Sequence, residues 1–321
     1  MDLIYTNSDF EDEGVLLDYS FDLAFGADEN DFSLTIDPRN HCCKSKSLVY
    51  IEGTEYGGII DNVAVDTANN ELTYSGRTWH GILETRVIEP DEGQAYYIVS
   101  GEANTVINGL LERLGLSELF EASNENSGLI LENYQFDRYT DAYKGIVKML
   151  ESVSAKMRLI FDNGKVTVSA VPAVDYSEDE QFDTDQIDLR IEKSYSTVNH
   201  LICLGKGELT ERLILHLYAD KDGNISETQS LFGLDEVVKT YEINNADTIE
   251  KLTTDGTKKL KEYNSGGFVE MDFENEANVY DVGDTVGSYD YTTDVTVKEK
   301  ITKKIITIKN GNTNIEYKVG E

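Results

Sequence analysis

The stretch Ile51-Glu-Gly-Thr-Glu-Tyr-Gly-Gly-Ile-Ile-Asp61 is followed along the chain by Tyr74-Ser-Gly-Arg-Thr-Trp-His-Gly-Ile-Leu83. A similar pattern returns at Val198-Asn-His-Leu-Ile-Cys-Leu-Gly-Lys-Gly-Glu-Leu209. Each stretch is a short apolar strand interrupted by glycines, where the backbone can bend sharply or another chain can approach closely. None of them has the spacing of a catalytic motif. These stretches therefore predict a structural role for the surrounding strands.

The charge of the chain is strongly negative. Acidic side chains number 61 and basic ones 28 among 321 residues, which gives a formal net charge of -33. Proteins that bind nucleic acid use Lys and Arg to displace counterions from phosphates, so specific nucleic-acid binding is disfavoured. Apolar residues make up 40 % of the chain, so the sequence predicts a folded protein with two to three cores rather than an acidic tail.

Neither a secretory signal nor a stable membrane insertion is predicted. The N-terminus has no basic region followed by an apolar core, and the apolar runs are much shorter than a membrane span. The three cysteines, Cys42, Cys43 and Cys203, lack the spacing of a metal site. We expect them to be free thiols in a chain made in a reducing cytosol.

The chain divides into three predicted domains, and the fold class is α+β but predominantly β. Residues 1–95 contain short runs in which polar and apolar residues alternate, as in β-strands. A sheet of such short strands leaves no exposed edge when it closes on itself, which predicts a β-barrel-like domain. Residues 96–195 change to helical periodicity and predict an inserted, helix-containing α+β domain. Residues 196–321 return to strands around one helix, so they predict a second barrel-like β domain.

Local signals define the predicted helices and turns. Asn104 and Thr105 are candidate caps of a first helix, and Thr140-Asp141 precede a second with apolar residues as far as Met157. A hairpin with an Asn163-Gly164 turn follows. A third helix is capped near Asn245 or Asp247 and carries the unfavourable Gly256, and a long hairpin turns near 310–312.

Candidate catalytic and metal-binding residues were sought, and none is predicted. His41 is adjacent to Cys42 and points to the opposite side of a strand, while His80, His200 and His216 lack a partner motif. The segment that begins at Asp220 resembles the start of a calcium loop. It lacks the required glycine and the final glutamate, so a hairpin turn is favoured. No cofactor is predicted.

With Tyr280-Asp-Val-Gly-Asp-Thr-Val-Gly287 and Ile315-Glu-Tyr-Lys-Val-Gly320, the glycine-containing stretches resemble phage and prophage tail proteins similar to the baseplate hub. The resemblance covers nearly the whole chain. It implies a non-enzymatic, homotrimeric ring of paired barrel-like domains that joins the tail tube to a distal spike or fibre. Candidate structural or interface residues are Trp79, Gly57, Gly58, Gly283 and Gly287.

The resemblance also implies partners and a location. The partners would be further copies of the chain and other tail proteins, namely the distal tail or tube protein, the spike or fibre, and the tape measure. The chain would be made in the bacterial cytoplasm and reside at the baseplate or tail tip of the virion. The alternative is a tail-associated lysin or endopeptidase, which would need a recognisable Cys/His or His/Glu catalytic domain. A carbohydrate-binding module is a third class, for which Tyr96-Tyr97 alone are insufficient.

An acidic strand near residue 270 suggests a channel wall. Glu270, Asp272, Glu274 and Glu276 occupy alternate positions and so fall on one face of a strand, while Met271 and Phe273 fall on the other. A ring of such strands would repel DNA that passes through a tail channel. An ordinary solvent-exposed face explains the same pattern equally well.

Overall fold

The computed structural model describes residues 2–177, 181–183, 188–193, 197–221, 223–243, 246–264, 267–274, 280–290, 295–309 and 311–319. Strands hold 45 % of the residues and helices 19 %, so the predicted class, α+β but predominantly β, is confirmed. In this part of the chain, no helix has the length and apolar character that crossing a bilayer requires.

The first half of the chain contains fourteen strands and three helices within the described residues. In chain order they are β1 (Leu3–Thr6), β2 (Asp12–Leu16), β3 (Ser20–Gly26), β4 (Asp31–Ile36), β5 (Leu48–Tyr50), β6 (Gly57–Asp66), β7 (Glu71–Thr78), α1 (Trp79–Glu84), β8 (Val87–Ile88), β9 (Ile98–Glu102), α2 (Ala103–Arg113), β10 (Phe120–Ala122), β11 (Ile130–Gln135), β12 (Thr140–Asp141), α3 (Ala142–Glu151), β13 (Ala155–Asp162) and β14 (Lys165–Pro172).

The second half of the described chain adds ten strands and one long helix. They are β15 (Gln181–Asp183), β16 (Asp188–Lys193), β17 (His200–Leu204), β18 (Ile214–Ala219), β19 (Ile225–Ser226), β20 (Val238–Glu242), α4 (Ile249–Asn264), β21 (Gly267–Glu274), β22 (Thr285–Asp290), β23 (Val295–Lys309) and β24 (Asn312–Val319).

The largest sheet joins strands from both ends of the chain. Its neighbours follow the order β21-β24-β23-β3-β4-β7-β6-β5-β1-β2, and β22 pairs with β23. The predicted C-terminal hairpin is confirmed, and β23 pairs antiparallel with β3 from Lys303↔Gly26 to Lys309↔Ser20. No sheet closes into a barrel among the described residues, so the predicted pair of barrel-like domains is not confirmed.

The middle of the chain packs helices on a small sheet. Strand β14 lies between β10 and β13, and the β13–β14 hairpin turns at Asn163-Gly164, where both residues have positive φ, as predicted. Helices α2 and α3 bury their apolar faces here, in a core that also includes residues of α1. Asp141 caps α3 by accepting a hydrogen bond from the Lys144 N–H.

Several local predictions are wrong. Trp79-His-Gly-Ile-Leu83 was predicted as strand but forms α1, because Thr78 caps this short helix and its residues are buried by tertiary packing. Helix α3 ends at Glu151 instead of reaching Met157, since Ser154 has a left-handed φ of 55° and the chain then enters β13. Glu102, not Asn104 or Thr105, caps α2.

The chain forms two compact units. Unit 1 comprises residues 1–189 and 270–321, and unit 2 comprises residues 190–269. In unit 2, α4 packs on a four-stranded sheet with the order β19-β18-β17-β20. Residues 196–321, predicted as one domain, are thus shared between the units. The boundaries 1–95, 96–195 and 196–321 stay a prediction for independently folding domains.

Candidate functional site

A largely buried group of five charged residues in unit 1 connects segments that are far apart in the sequence. We call it the ionic junction, and it comprises Glu55, Lys156, Asp281, Asp284 and Lys304. Glu55 precedes β6, Lys156 lies on β13, the two aspartates precede β22, and Lys304 lies on β23. Each of the three predicted domains therefore contributes at least one residue to the junction.

Each lysine of the junction contacts two carboxylates. The Lys156 Nζ donates to Asp281 at 2.8 Å and to Asp284 at 2.7 Å, while the Lys304 Nζ donates to Glu55 at 2.6 Å and to Asp281 at 3.4 Å. Asp284 and Lys304 are fully buried. Removing one partner of such a buried network would leave a desolvated charge without compensation, so the junction holds these segments together.

Electrostatic attraction favours the charged forms of Lys304 and Asp281. Burial acts against the charged form of Lys304, but the nearby Glu55, Tyr317 and Asp281 outweigh it and raise the pKa of this lysine. Burial likewise acts against the charged form of Asp281, but Lys304 and Lys156 lower its pKa below the usual value. Burial raises the pKa of Glu55, so its 2.6 Å contact with Lys304 is what favours the carboxylate form.

The glycine-containing segment before and within β22 positions the aspartates. Asp284 accepts hydrogen bonds from the Val174 and Asp281 N–H groups at 2.8 and 2.9 Å. Gly283 has a φ of +98° and donates its N–H to the Ile301 carbonyl at 2.9 Å, a geometry that favours glycine. At Gly287 a Cβ atom would lie 2.9 Å from the Ser177 carbonyl oxygen. Both candidate glycines thus allow close packing within the chain.

Trp79, Gly57 and Gly58 also pack within unit 1. The Trp79 ring is fully buried and stacks on Phe161 of β13 with centroids 5.2 Å apart. A Cβ atom on Gly57 would lie 2.6 Å from the Trp79 ring, and one on Gly58 would lie 2.1 Å from the Arg77 carbonyl oxygen. These contacts give the three residues a structural role in packing within the chain. A role between chains stays a prediction.

A cavity of about 450 Å³ lies against the junction, and Glu55, Lys156 and Asp281 form part of its wall. Its walls include Phe25, Tyr143 and His80. The His80 ring stacks on Phe25 at 4.5 Å, and its Nδ1 has no hydrogen-bond partner in the described chain. Burial lowers the pKa of His80 to about 3, so this imidazole is neutral. The lysines on the wall, Lys144, Lys148, Lys156 and Lys300, each contact a carboxylate.

Unit 2 contains a chain of hydrogen bonds that the sequence did not predict. The His200 Nδ1 lies 2.7 Å from Glu236, and its Nε2 lies 2.8 Å from the Nδ1 of His216. Both contacts are satisfied when His200 donates to Glu236 and accepts from His216. Strand alternation places Cys203 on the opposite face of β17 from His200, and burial raises the pKa of its thiol to about 11. These residues do not form a Cys–His pair.

The remaining candidates are placed as follows. The His41 Nδ1 lies 2.6 Å from the Tyr74 hydroxyl, not beside a thiolate. Asp220 begins a turn between β18 and β19, accepting a hydrogen bond from the Asn224 N–H. Glu270, Asp272 and Glu274 alternate along β21, and Glu276 lies outside the described residues. The direction in which the four carboxylates point stays a prediction. Among the described residues, no group suited to bind a metal ion occurs.

Comparison with known proteins gives matches only at the level of three-dimensional structure. No family model matches the sequence, and no curated protein matches it. Prophage tail protein gp18 from Listeria monocytogenes EGD-e is similar at 12 % identity, with a TM-score of 0.56 over 99 % of this chain and 94 % of that chain. A tail protein from Neisseria meningitidis MC58 is similar at 13 % identity, with a TM-score of 0.53 over 100 % and 96 %.

A third solved structure that is similar in fold is also a tail protein. The 43 kDa tail protein of prophage MuSo2 from Shewanella oneidensis is similar at 9 % identity, with a TM-score of 0.60 over 99 % of this chain and 98 % of that chain. All three similarities include both units and nearly the full length of each neighbour. The chain therefore has the fold of prophage tail proteins.

Proposed function

We propose that the chain is a structural protein of a phage or prophage-derived tail, located at the baseplate or tail-tip hub. The observation that carries this proposal is the similarity of the fold to three tail proteins over nearly their entire lengths. The ionic junction adds support, since it links residues from all three predicted domains within unit 1.

The finer form of the proposal is a homotrimeric ring. Three copies, each with paired barrel-like regions, would match a six-fold tail tube on one side to a three-fold spike or fibre on the other. The tail tube, the spike or fibre and the tape measure protein are the proposed partners. Light scattering of the chain, alone and with its tail-tube partner, is expected to give a trimer. A symmetric dimer as the only assembled species would contradict the ring.

The proposed position is tested on virions. Antibodies against the chain, visualised by electron microscopy, are expected to label the tip of the tail. Labelling along the tube or on the capsid would contradict the hub position while leaving a structural role intact.

The proposed role is non-enzymatic, and the lysin alternative has a direct test. The histidine and cysteine of β17 lie on opposite faces of their strand, so they do not support nucleophilic catalysis. Purified protein is expected to leave peptidoglycan intact. Cleavage that is abolished by His80→Ala, His200→Ala or Cys203→Ala would overturn the structural reading.

The acidic strand β21 belongs to the same proposal. Glu270, Asp272, Glu274 and Glu276 would line the axial channel of the ring and keep the passing genome from adhering to it. A structure of the assembled hub in which these carboxylates point away from the channel would refute this part alone.

A further inference from the structure

The cavity beside the ionic junction is too large to be a packing defect. It lies within unit 1, between α3 and the strands β3, β13 and β23, and has a volume of about 450 Å³. Voids inside proteins are seldom larger than a water molecule, and a cavity of about 150 Å³ already holds a benzene ring. The volume falls in the range of about 300–1,000 Å³ that is typical of small-molecule sites.

Most of the area of the cavity wall is apolar. Phe25 and Ile301 are almost completely buried, and Val147 of α3 lies on the same wall. The wall reaches the surface at Lys144 and Lys148, whose side chains are 56 % and 58 % exposed. Water in a cavity is held by several polar partners, which an apolar wall does not supply. An apolar molecule that displaces this water therefore gains free energy.

His80 provides one hydrogen-bonding group on the wall. Its Nδ1 is enclosed without a partner, and burial keeps the ring neutral by lowering its pKa. A neutral imidazole carries one proton, and a buried N–H without an acceptor is rarer than a buried acceptor without a donor. The proton therefore lies on Nε2. This nitrogen is neither enclosed nor bonded to the described chain, so it borders the cavity as a donor.

The Tyr143 hydroxyl is a second group of this kind. The Tyr143 ring meets the His80 ring edge-on, with centroids 5.7 Å apart, so both side chains lie on the same part of the wall. The hydroxyl makes no hydrogen bond within the described part of the chain. Burial raises the pKa of Tyr143, so the hydroxyl keeps its proton and can donate it. Two neighbouring donors without acceptors favour a ligand that supplies one.

The charged groups of the wall are already paired. Each of its four lysines contacts a carboxylate, and Glu55, Glu151 and Asp281 each contact a lysine. Desolvating a charged ligand is costly unless the site supplies an opposite charge. Among the described residues of the wall, every charged side chain has its partner, so a neutral ligand fits better than an ion.

We propose that this cavity binds a neutral small molecule with an apolar body and an oxygen atom that accepts hydrogen bonds. The body lies against Phe25, Val147 and Ile301, and the oxygen accepts from the His80 Nε2 and the Tyr143 hydroxyl. Such a molecule contacts α3 and β23 at the same time, so its binding stabilises unit 1. The inference is independent of the proposed function, because it uses the cavity wall alone.

The test uses prodan, a neutral naphthyl ketone whose fluorescence shifts to the blue in apolar surroundings. Val147→Trp fills the cavity, while Tyr143→Phe and His80→Phe keep a ring and remove one donor each. Tyr139→Phe is the matched control, because this tyrosine is 59 % exposed and lies outside the cavity wall. Fluorescence titration measures the Kd of each variant. Thermal unfolding without prodan reports whether the variant is folded.

Wild type and Tyr139→Phe are expected to bind prodan at one saturable site with a blue shift and a raised Tm. Val147→Trp should weaken binding about tenfold or more, and each donor variant about fivefold, the loss of one hydrogen bond. The donor variants decide the outcome if Val147→Trp does not fold.

The inference is overturned if wild type shows no saturable binding, or if a folded Val147→Trp binds prodan as wild type does. Binding that both donor variants retain in full overturns the assigned ligand class, since the oxygen then has no role. Release of prodan by the tail-tube partner assigns the cavity to a side chain of that protein instead. None of these results affects the hub proposal, whose test is the assembly.

Discussion

Lys304 of unit 1 and Ile214 of unit 2 both lie on strands, but their burial is the reverse of what their side chains predict, since lysines are usually exposed and isoleucines buried. The lysine is fully buried among carboxylates, whereas the isoleucine is about half exposed. Unit 1 thus encloses charge where it joins distant segments, whereas Ile214 of unit 2 remains in contact with solvent. The contrast separates a buried ionic network, which stabilises unit 1, from an apolar side chain that folding leaves partly exposed.

The junction should show the largest effect of a single substitution. Lys304→Met leaves Glu55 without its cation in a largely buried site, while Asp281 keeps Lys156, and we expect the substitution to destabilise the fold by about 3–5 kcal/mol. Lys300→Met on the same strand is the control. Its partner Glu151 is at 2.9 Å, but the lysine side chain is 53 % exposed, so we expect less than about 1 kcal/mol. If urea unfolding shows that the two variants lose the same free energy of unfolding, the buried junction stabilises the fold no more than an exposed ion pair does.

The two faces of the unit 2 sheet should respond differently. Leu201→Ala removes a fully buried side chain beneath α4 and should cost about 2–5 kcal/mol of folding free energy. Ile202→Ala, on the opposite face, should cost less, because this side chain is only partly buried. Similar unfolding losses for the two variants would mean that the opposite face is covered within the chain as well as the α4 face is.

Two helix glycines provide a matched pair across the units. A Cβ atom on Gly256 of α4 would lie 2.4 Å from the Cys203 sulfur, so Gly256→Ala should destabilise unit 2 by about 1–3 kcal/mol. Gly109 of α2 has open space, and Gly109→Ala should stabilise the helix by about 0.5–1 kcal/mol. Thermal melts should therefore shift in opposite directions. A stabilising Gly256→Ala would contradict the tight packing of α4.

Acid should destabilise unit 1 through His80. Its pKa is about 3 in the folded state against 6.5 for an ordinary histidine, so its contribution to stability is complete above pH 6.5 and declines as the pH falls towards 3. At pH 5.5 the loss should be about 1.4 kcal/mol relative to His80→Phe, which retains a ring against Phe25. The stability that Asp281 contributes is complete above its unfolded pKa of 3.8 and is lost only below that pH, so it does not affect the comparison at pH 5.5. Parallel pH profiles for wild type and variant would contradict a buried neutral imidazole.

Elements with local chemical signals could be predicted from the sequence. The cap at Asp141 and the Asn163-Gly164 turn were predicted because each depends on a few adjacent residues. Helix α1 was missed, since six residues give too short a period and their helical state depends on burial. The end of α3 was missed because the apolar spacing continues past Ser154 into β13.

The ionic junction could not be recognised among 61 acidic residues, because Lys304 and Glu55 are 249 positions apart. One signal was available. Alternation along β23 places Lys304 on the same face as Ile306 and Ile308, so a lysine was directed into the core. The cavity could not be predicted either, because its wall brings together α1, α3, β3, β13 and β23, and local sequence does not determine how these elements pack.

Native mass spectrometry of the assembled particle tests the hub account most directly. We expect a species of three chains, formed alone or with the tail-tube partner. A chain that remains monomeric under all these conditions, or assembles only as a two-fold dimer, would contradict the account.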